Sequence, residues 1–103
     1  MDLKVVWTNT ASAQLEGVFD FYKTTASLTV ARKIVKSLVQ KTASLAKQPR
    51  KGQREVLLAD RQKEYRYLVE DNYKIIYWID TATVYVAAVF DTRQNPDKIT
   101  DAE

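Results

Sequence analysis

The stretch EYRYLVEDNYKIIYWIDTATVYVAAVFDTR, residues 64–93, determines the fold of this chain. Its residues alternate with a period of two, and most of them are β-branched or aromatic, which is typical of β-strands. Two short polar interruptions, Glu70–Asn72 and Asp80–Ala82, carry residues that favour tight turns, and Asn72 tolerates a left-handed backbone conformation. The stretch therefore predicts three antiparallel strands joined by two turns.

The second and third of these strands are apolar on both faces for most of their length. A strand of this kind lies inside a sheet that is covered on one side and partly shielded on the other. In the second strand, Tyr73, Ile75, Tyr77 and Ile79 alternate with Lys74, Ile76 and Trp78. In the third strand, Tyr85, Ala87 and Val89 alternate with Val84, Val86, Ala88 and Phe90.

The N-terminal part of the chain predicts one strand and the first helix of the cover. Leu3–Trp7 is short and apolar, and Thr8–Thr10 supplies helix-capping residues. Gly17 lies inside the helix at a cost of about 1 kcal/mol relative to alanine, so we expect another backbone to pack closely against it. The apolar stripe of this helix consists of Ala11, Leu15, Val18, Phe19 and Tyr22.

A second amphipathic helix follows, and together the two helices predict a hairpin that covers the sheet. Residues 24–27 can cap it, and Pro49 and Gly52 are stop signals beyond its end. Glu55–Leu58 predicts a short strand. The predicted fold is α+β, in the order β-α-α-β-β-β-β, with the N-terminal strand and helical hairpin on one face of a twisted antiparallel sheet. The apolar face of the second helix consists of Ala31, Ile34, Val35, Leu38, Thr42 and Leu45.

Length and composition exclude several functional classes. The 103 residues predict one domain over residues 1–96 and a short acidic tail over 97–103. The sequence contains no cysteine and no histidine, which removes thiolate chemistry and the commonest general base and metal ligand. No apolar run approaches the roughly 18 residues of a membrane span. We expect a cytoplasmic protein without metal or cofactor.

Charge is concentrated in the middle of the chain. Residues 32–66 contain eleven bases and three acids, a net charge of +8, whereas the whole chain carries +3. One interpretation is a solvated lysine face on the second helix. The other is a surface for an acidic partner, either nucleic acid or a negatively charged protein.

The order of elements and four sequence pieces resemble the RelE/ParE superfamily of toxins from type II toxin–antitoxin (plasmid stabilisation) modules. The pieces are VVWTNTASAQLEGVFDFY, LAKQPRKG, YRYLVEDNYKIIYWI and VAAVFDTRQNP, and the resemblance extends over nearly the whole chain. The resemblance implies a bacterial growth-inhibiting toxin that is neutralised by a cognate acidic antitoxin. It leaves open whether the protein forms a homodimer or a toxin–antitoxin hetero-oligomer.

Members of this superfamily divide by target. RelE-like toxins cut messenger RNA on the ribosome, and ParE-like toxins inhibit DNA gyrase. The ribonucleases typically carry a tyrosine or histidine after the last strand, whereas residues 94–98 of this chain contain no aromatic residue. They also tend to carry a base in the third strand of the sheet just before the turn, where this chain has Val69. The resemblance therefore favours ParE-like inhibition; the alternatives are a metal-independent RelE-like endoribonuclease and a non-toxic basic binding module.

Two arginines are the candidate catalytic residues, and four cations are the candidate target-binding residues. Arg66 lies in an alternating strand among tyrosines, so a structural pairing with Glu64 or with a tyrosine ring is the alternative. Arg93 follows the last strand, where a rigid sheet supports an exposed side chain. The target-binding candidates are Lys51, Arg54, Arg61 and Lys63.

Overall fold

The computed structural model describes residues 2–58 and 62–93. Arg61, residues 94–96 and the predicted acidic tail lie outside these ranges. Two single 3-10 turns, Ser44–Ala46 and Val56–Leu58, join the main elements. The helices and strands are β1 (Lys4–Trp7), α1 (Asn9–Thr25), α2 (Leu28–Ala43), β2 (Gln53–Arg54), β3 (Arg66–Glu70), β4 (Tyr73–Asp80) and β5 (Thr83–Asp91).

The predicted α+β fold with a helical hairpin over a sheet is confirmed. The five strands lie in the order β1-β5-β4-β3-β2, and the adjacent pairs among β2 to β5 are antiparallel. The sheet is mixed rather than wholly antiparallel, because β1 pairs with β5 in parallel. A two-residue turn forces its strands to be antiparallel, but most of the chain separates β1 from β5, so no turn fixes the direction of β1.

Side chains at the start of each helix fix where the hairpin begins. The hydroxyl of Thr8 accepts a 3.1 Å hydrogen bond from the N–H of Ala11, and Ser27 caps α2 in the same way through Val30. The Thr8 hydroxyl also donates to the carbonyl of Val86 at 2.9 Å. The capping residue therefore attaches the start of α1 to β5, and both predicted capping regions are confirmed.

The main core lies between the hairpin and one face of the sheet. The predicted residues of the α1 stripe except Phe19 contribute to it, as do Ile34, Leu38 and Leu45 of the second predicted stripe and the four predicted residues of β4. Ile76 and Trp78 of β4 belong to a second cluster on the opposite face, so the predicted alternation of β4 is confirmed. The second cluster also contains Leu58, Tyr65, Ala87 and Ala88, with Tyr67, Tyr85 and Phe90 packed against it.

The predicted alternation of β5 is wrong beyond Ala87, because the strand contains a bulge. Ile76 pairs with Ala88 and Tyr77 with Val86, which leaves Ala87 as an extra residue. Ala87 and Ala88 consequently lie in the cluster on the far face, and Val89 returns to the main core. A bulge shifts the phase of every later side chain by one, and its position depends on the partner strand rather than on the local sequence.

Two local predictions between α2 and β4 are also corrected. The predicted strand Glu55–Leu58 is wrong: β2 is Gln53–Arg54, and residues 56–58 form a 3-10 turn. The N–H of Glu55 still donates to the carbonyl of Tyr65, and the N–H of Leu58 then donates to the carbonyl of Glu55, which forms the turn. The buried carboxylate of Glu55 accepts a hydrogen bond from Lys74. In the β3–β4 turn, Asp71 rather than Asn72 takes the left-handed conformation, with φ 53°.

Gly17 does not make the predicted close backbone contact. A Cβ atom built on it meets no heavy atom within 4 Å, and the residue is exposed. Gly52, in contrast, has no room for a side chain, because its Cβ would lie 2.5 Å from the Tyr77 hydroxyl and 2.7 Å from the Tyr67 carbonyl oxygen.

Gly17→Ala should raise the free energy of unfolding by about 1 kcal/mol, because alanine favours the helix and nothing opposes its methyl group. Urea denaturation followed by circular dichroism measures the change. Gly52→Ala is the matched substitution and should destabilise the protein. A loss of stability in Gly17→Ala would contradict the open space at this position.

Candidate functional site

The candidate site residues occupy two separate regions of the structure. Lys51, Arg54, Lys63 and Arg66 lie around the loop before β2 and the start of β3, whereas Arg93 follows the end of β5. Arg66 lies opposite Tyr77, while Asp91, two residues before Arg93, lies opposite Tyr73. Four residues along β4 span roughly 13 Å. The two candidate catalytic arginines therefore do not share one site.

Tyr77 holds the basic loop, which we define as residues 48–52, against the sheet. Its hydroxyl donates to the carbonyl of Pro49 at 2.7 Å and accepts from the N–H of Gly52 at 3.0 Å. The side chain is fully buried, and burial raises the pKa of the phenol. At neutral pH Tyr77 therefore keeps its proton and acts as a hydrogen-bonding anchor.

Arg66 also binds the backbone of the basic loop. Its Nη1 donates to the carbonyl of Gly52 at 2.9 Å, while Nε and Nη2 lie 3.2 and 3.1 Å from Oε2 of Glu64. The side chain is only 19% exposed. The predicted pairing with Glu64 is confirmed; since these contacts use donors on all three nitrogens, Arg66 supports the loop rather than presenting a free cation.

Three guanidinium groups surround the carboxylate of Glu64, and we call this group the arginine cluster: Arg50, Arg54 and Arg66 around Glu64. The closest nitrogen–oxygen distances are 3.9 Å for Arg50, 3.6 Å for Arg54 and 3.1 Å for Arg66. Arg50 and Arg54 are about two-thirds exposed. The carboxylate of Glu64 therefore lies among three positive charges at the edge of the sheet, and an excess of positive charge remains there.

Lys63 and an aromatic stack occupy the face of the sheet that points away from the helices. The ammonium group of Lys63 lies 4.0 Å from the centre of the Trp78 ring. Trp78 stacks on Tyr85 with ring centres 5.0 Å apart and an interplanar angle of 15°. Lys63 therefore covers an aromatic surface, a contact that its position in a charged turn did not reveal.

Sequence reasoning missed a buried ion pair on this face. Glu55 is 4% exposed, and its Oε2 lies 3.0 Å from the ammonium group of Lys74. The same ammonium lies 4.3 Å from the centre of the Tyr67 ring. The only signal in the sequence is an acidic residue directly before the apolar run Val56–Leu58, which does not identify its partner.

Arg93 lies in a polar network at the end of β5. Its Nε and Nη2 donate to the two carboxylate oxygens of Asp91 at 3.0 and 2.8 Å, and its side chain is 56% exposed. These hydrogen bonds lower the pKa of Asp91, and the carboxylate together with Tyr22 raises the pKa of Arg93. Arg93 therefore presents a permanent, oriented positive charge at the surface.

Tyr73, which belongs to the network around Arg93, keeps its proton at neutral pH. The hydroxyls of Tyr73 and Tyr22 lie 3.5 Å apart. Burial, and then the hydrogen bond with Tyr22, raises the pKa of Tyr73 far above its ordinary value. The interpretation of Tyr73 and Tyr77 as packing residues agrees with their burial in the main core. Among the described residues of this region, Tyr73 is therefore not a ready general base.

The described part of the chain contains neither a cluster of metal ligands nor a membrane-spanning helix. Within residues 2–58 and 62–93, no group of three or more acidic side chains is placed to hold a metal ion. None of the helices in the same ranges has the length and apolarity needed to cross a membrane.

The fold agrees with the class of protein that the sequence resembles, the RelE/ParE superfamily of toxins. The family model described as "ParE toxin of type II toxin-antitoxin system, parDE" matches residues 5–96, so the chain belongs to the ParE toxin family. The structure of a chromosomal ParDE toxin–antitoxin system from P. aeruginosa is similar, with a TM-score of 0.73 at 16% identity over 86% of this chain and 95% of that chain. No curated protein matches the chain.

Tyr77→Phe should lower the free energy of unfolding by about 1–3 kcal/mol, because the buried N–H of Gly52 loses its partner. Tyr67→Phe is the control, since the hydrogen bond from its hydroxyl to Gln53 is exposed and its loss should cost less than about 1 kcal/mol. Urea denaturation compares the two variants. Equal costs would show that the Tyr77 hydroxyl does not hold the loop.

Asp91→Asn should reduce stability at neutral pH and reduce the loss of stability in acid. The pKa of Asp91 is lowered in the folded protein, so its contribution is present above the ordinary value of 3.8 and disappears as pH falls through the folded value. Unfolding measured between pH 7 and pH 2 should show the difference between wild type and variant shrinking below about pH 4. Asp80→Asn, at the exposed end of β4, is the control. A difference in stability between wild type and Asp91→Asn that persists undiminished at pH 2 would argue against the ion pair.

Proposed function

We propose that this toxin acts by inhibiting DNA gyrase through surface contact, without catalysing a reaction of its own. The observation that carries this proposal is chemical. Cleavage of RNA without a metal needs a group that removes the 2′-hydroxyl proton near neutral pH. The sequence contains no histidine, Tyr73 and Tyr77 have raised pKa values, and the guanidinium of Arg93 stays protonated. Membership of the ParE family supports the same target class.

The exposed cations are the proposed contact residues. Lys51 lies in the basic loop, which Tyr77 and Arg66 hold against the sheet, and Arg54 lies in β2 directly after this loop. Arg93 is oriented by Asp91 at the end of a different strand. Because the two cationic regions are separated along the sheet, we propose a broad electrostatic contact in which the arginines bind rather than catalyse.

A RelE-like ribonuclease is the second candidate. The basic loop and the adjacent pairing of Lys63 with the Trp78 ring favour it, since cations combined with aromatic rings are common in surfaces that bind single-stranded nucleic acid. A third alternative is a basic binding module without toxicity.

We propose an acidic antitoxin as the partner that neutralises this chain. In the described ranges, β2 pairs only with Arg66 and Tyr67 of β3, and Val69 further along β3 is 51% exposed. An edge strand of this kind can accept a strand from another chain. Leu28 and Val39 of α2 are also exposed, which offers an apolar surface for an amphipathic helix.

The purified toxin should inhibit supercoiling by gyrase and leave translation in a cell-free extract intact. Arg93→Ala should weaken the inhibition at least severalfold, because it removes an oriented charge without touching the core. Arg32→Ala removes an exposed arginine from α2 and should have no effect. Both assays use the same protein preparation, with circular dichroism confirming that each variant is folded.

Cleaved messages with normal supercoiling would replace the proposed target with the ribosome. No effect in either assay would favour the binding module. Full inhibition by Arg93→Ala would remove Arg93 from the contact surface.

A further inference from the structure

A groove opens at the edge of the sheet beside the arginine cluster, and we call it the edge groove. It encloses about 330 Å³, at the lower end of the range for ligand sites and enough for one or two side chains. Two of its lining residues, Leu58 and Tyr65, are almost fully buried, at 1% and 4% exposed, and we call them the floor of the groove. It is lined by Arg54, Glu55, Val56, Leu58, Gln62, Lys63, Glu64 and Tyr65.

The charges around the edge groove do not cancel. The carboxylate of Glu55 is engaged by Lys74, and that of Glu64 is engaged most closely by Arg66. Arg54 and Lys63 remain on the lining, and Arg50 reaches Glu64 from outside the lining. The surroundings of the groove are therefore electropositive and complementary to an anionic ligand.

Two arginines of the cluster can turn towards such a ligand. Arg50 and Arg54 approach Glu64 at 3.9 and 3.6 Å, which is longer than a charge-assisted hydrogen bond, and both are largely exposed. Arg66 is held by the backbone of the basic loop and is much less exposed. In the free protein, Glu64 occupies the position among the three guanidiniums that an incoming carboxylate would take.

The shape of the groove favours a peptide over a nucleic acid. A single-stranded nucleic acid needs open aromatic faces on which bases can stack. Tyr65 is buried in the floor, and the Trp78 ring lies between Lys63 and Tyr85. Val56, on the rim, is 78% exposed and adds an apolar contact suited to a neighbouring aliphatic side chain.

We propose that the edge groove binds an acidic segment of a protein partner, in which a carboxylate reaches Arg50 and Arg54 and an adjacent aliphatic side chain packs on Val56, Leu58 and Tyr65. Glu64 competes for the same arginines and so weakens this binding. The proposal assigns a ligand chemistry to one groove and does not depend on which cellular target the toxin inhibits.

The test is a titration of the isotopically labelled full chain, followed by nuclear magnetic resonance. The probe is a capped hexapeptide of alternating glutamate and leucine. Binding of this peptide should shift the amide signals of residues 54, 56 and 63 and the side-chain Nε–H signal of Arg54. The same peptide with glutamine in place of glutamate is the neutral control. A six-residue thymidine oligonucleotide and inorganic phosphate test the other sources of negative charge.

Variants with the same change in net charge distinguish competition by Glu64 from a general effect of charge. Glu64→Gln should tighten binding of the glutamate peptide by about threefold, as expected for one competing surface carboxylate. Glu70→Gln changes the net charge equally, lies at the far end of β3 and should have no effect. Arg54→Ala should weaken binding by about threefold, whereas Arg32→Ala should leave it unchanged.

Several results would overturn the proposal. One is equal binding of the glutamine peptide, and another is unchanged or weaker binding by Glu64→Gln. Tighter binding of the oligonucleotide at these residues would reassign the groove to nucleic acid, and equal binding of inorganic phosphate would reduce it to a general anion cluster. None of these results would bear on gyrase inhibition, because the titration uses neither gyrase nor cells.

Discussion

Burial of β4 on both faces is the constraint on which the rest of this structure depends. Ile75 and Tyr77 pack towards the helical hairpin, and Ile76 and Trp78 pack into the cluster on the far face. A strand buried in this way needs a neighbour on each edge and cover on each side. Strands β3 and β5 supply the edges, and α1 and α2 supply the cover on one side. The far face is partly covered by Leu58 and Lys63, so Lys63 contributes both positive charge and packing.

The same strand connects stability with the charged surface. Tyr77 contributes its ring to the main core and its hydroxyl to the basic loop, and the missing side chain of Gly52 lets the loop approach the hydroxyl. Arg66 completes this arrangement by bonding to the loop backbone while it pairs with Glu64. Exposed ion pairs contribute little to stability. The buried hydrogen bonds of Tyr77 therefore hold the loop, and the exposed arginines on either side remain available for binding.

The two arginines chosen from the sequence have different environments. Arg66 is largely buried and committed to structural contacts, whereas Arg93 is exposed and held by the carboxylate of Asp91. Their separation along β4 argues against a shared catalytic centre. The properties that remain are rigid positive charge and exposed edges, which suit a protein that acts by binding other macromolecules. This is consistent with the family to which the chain belongs.

The sequence by itself determined the features that depend on neighbours along the chain. The period of two in β4, the helix caps at Thr8 and Ser27 and most of the apolar stripe of α1 follow from local geometry, and the structure confirms them. Only the tertiary structure decided the bulge at Ala87, the parallel pairing of β1 and the pairing of Glu55 with Lys74. It also showed that Arg66 supports a loop, although the sequence named Glu64 as a partner. Each of these depends on a partner distant in sequence, and a periodic pattern carries no information about which distant residue will lie opposite.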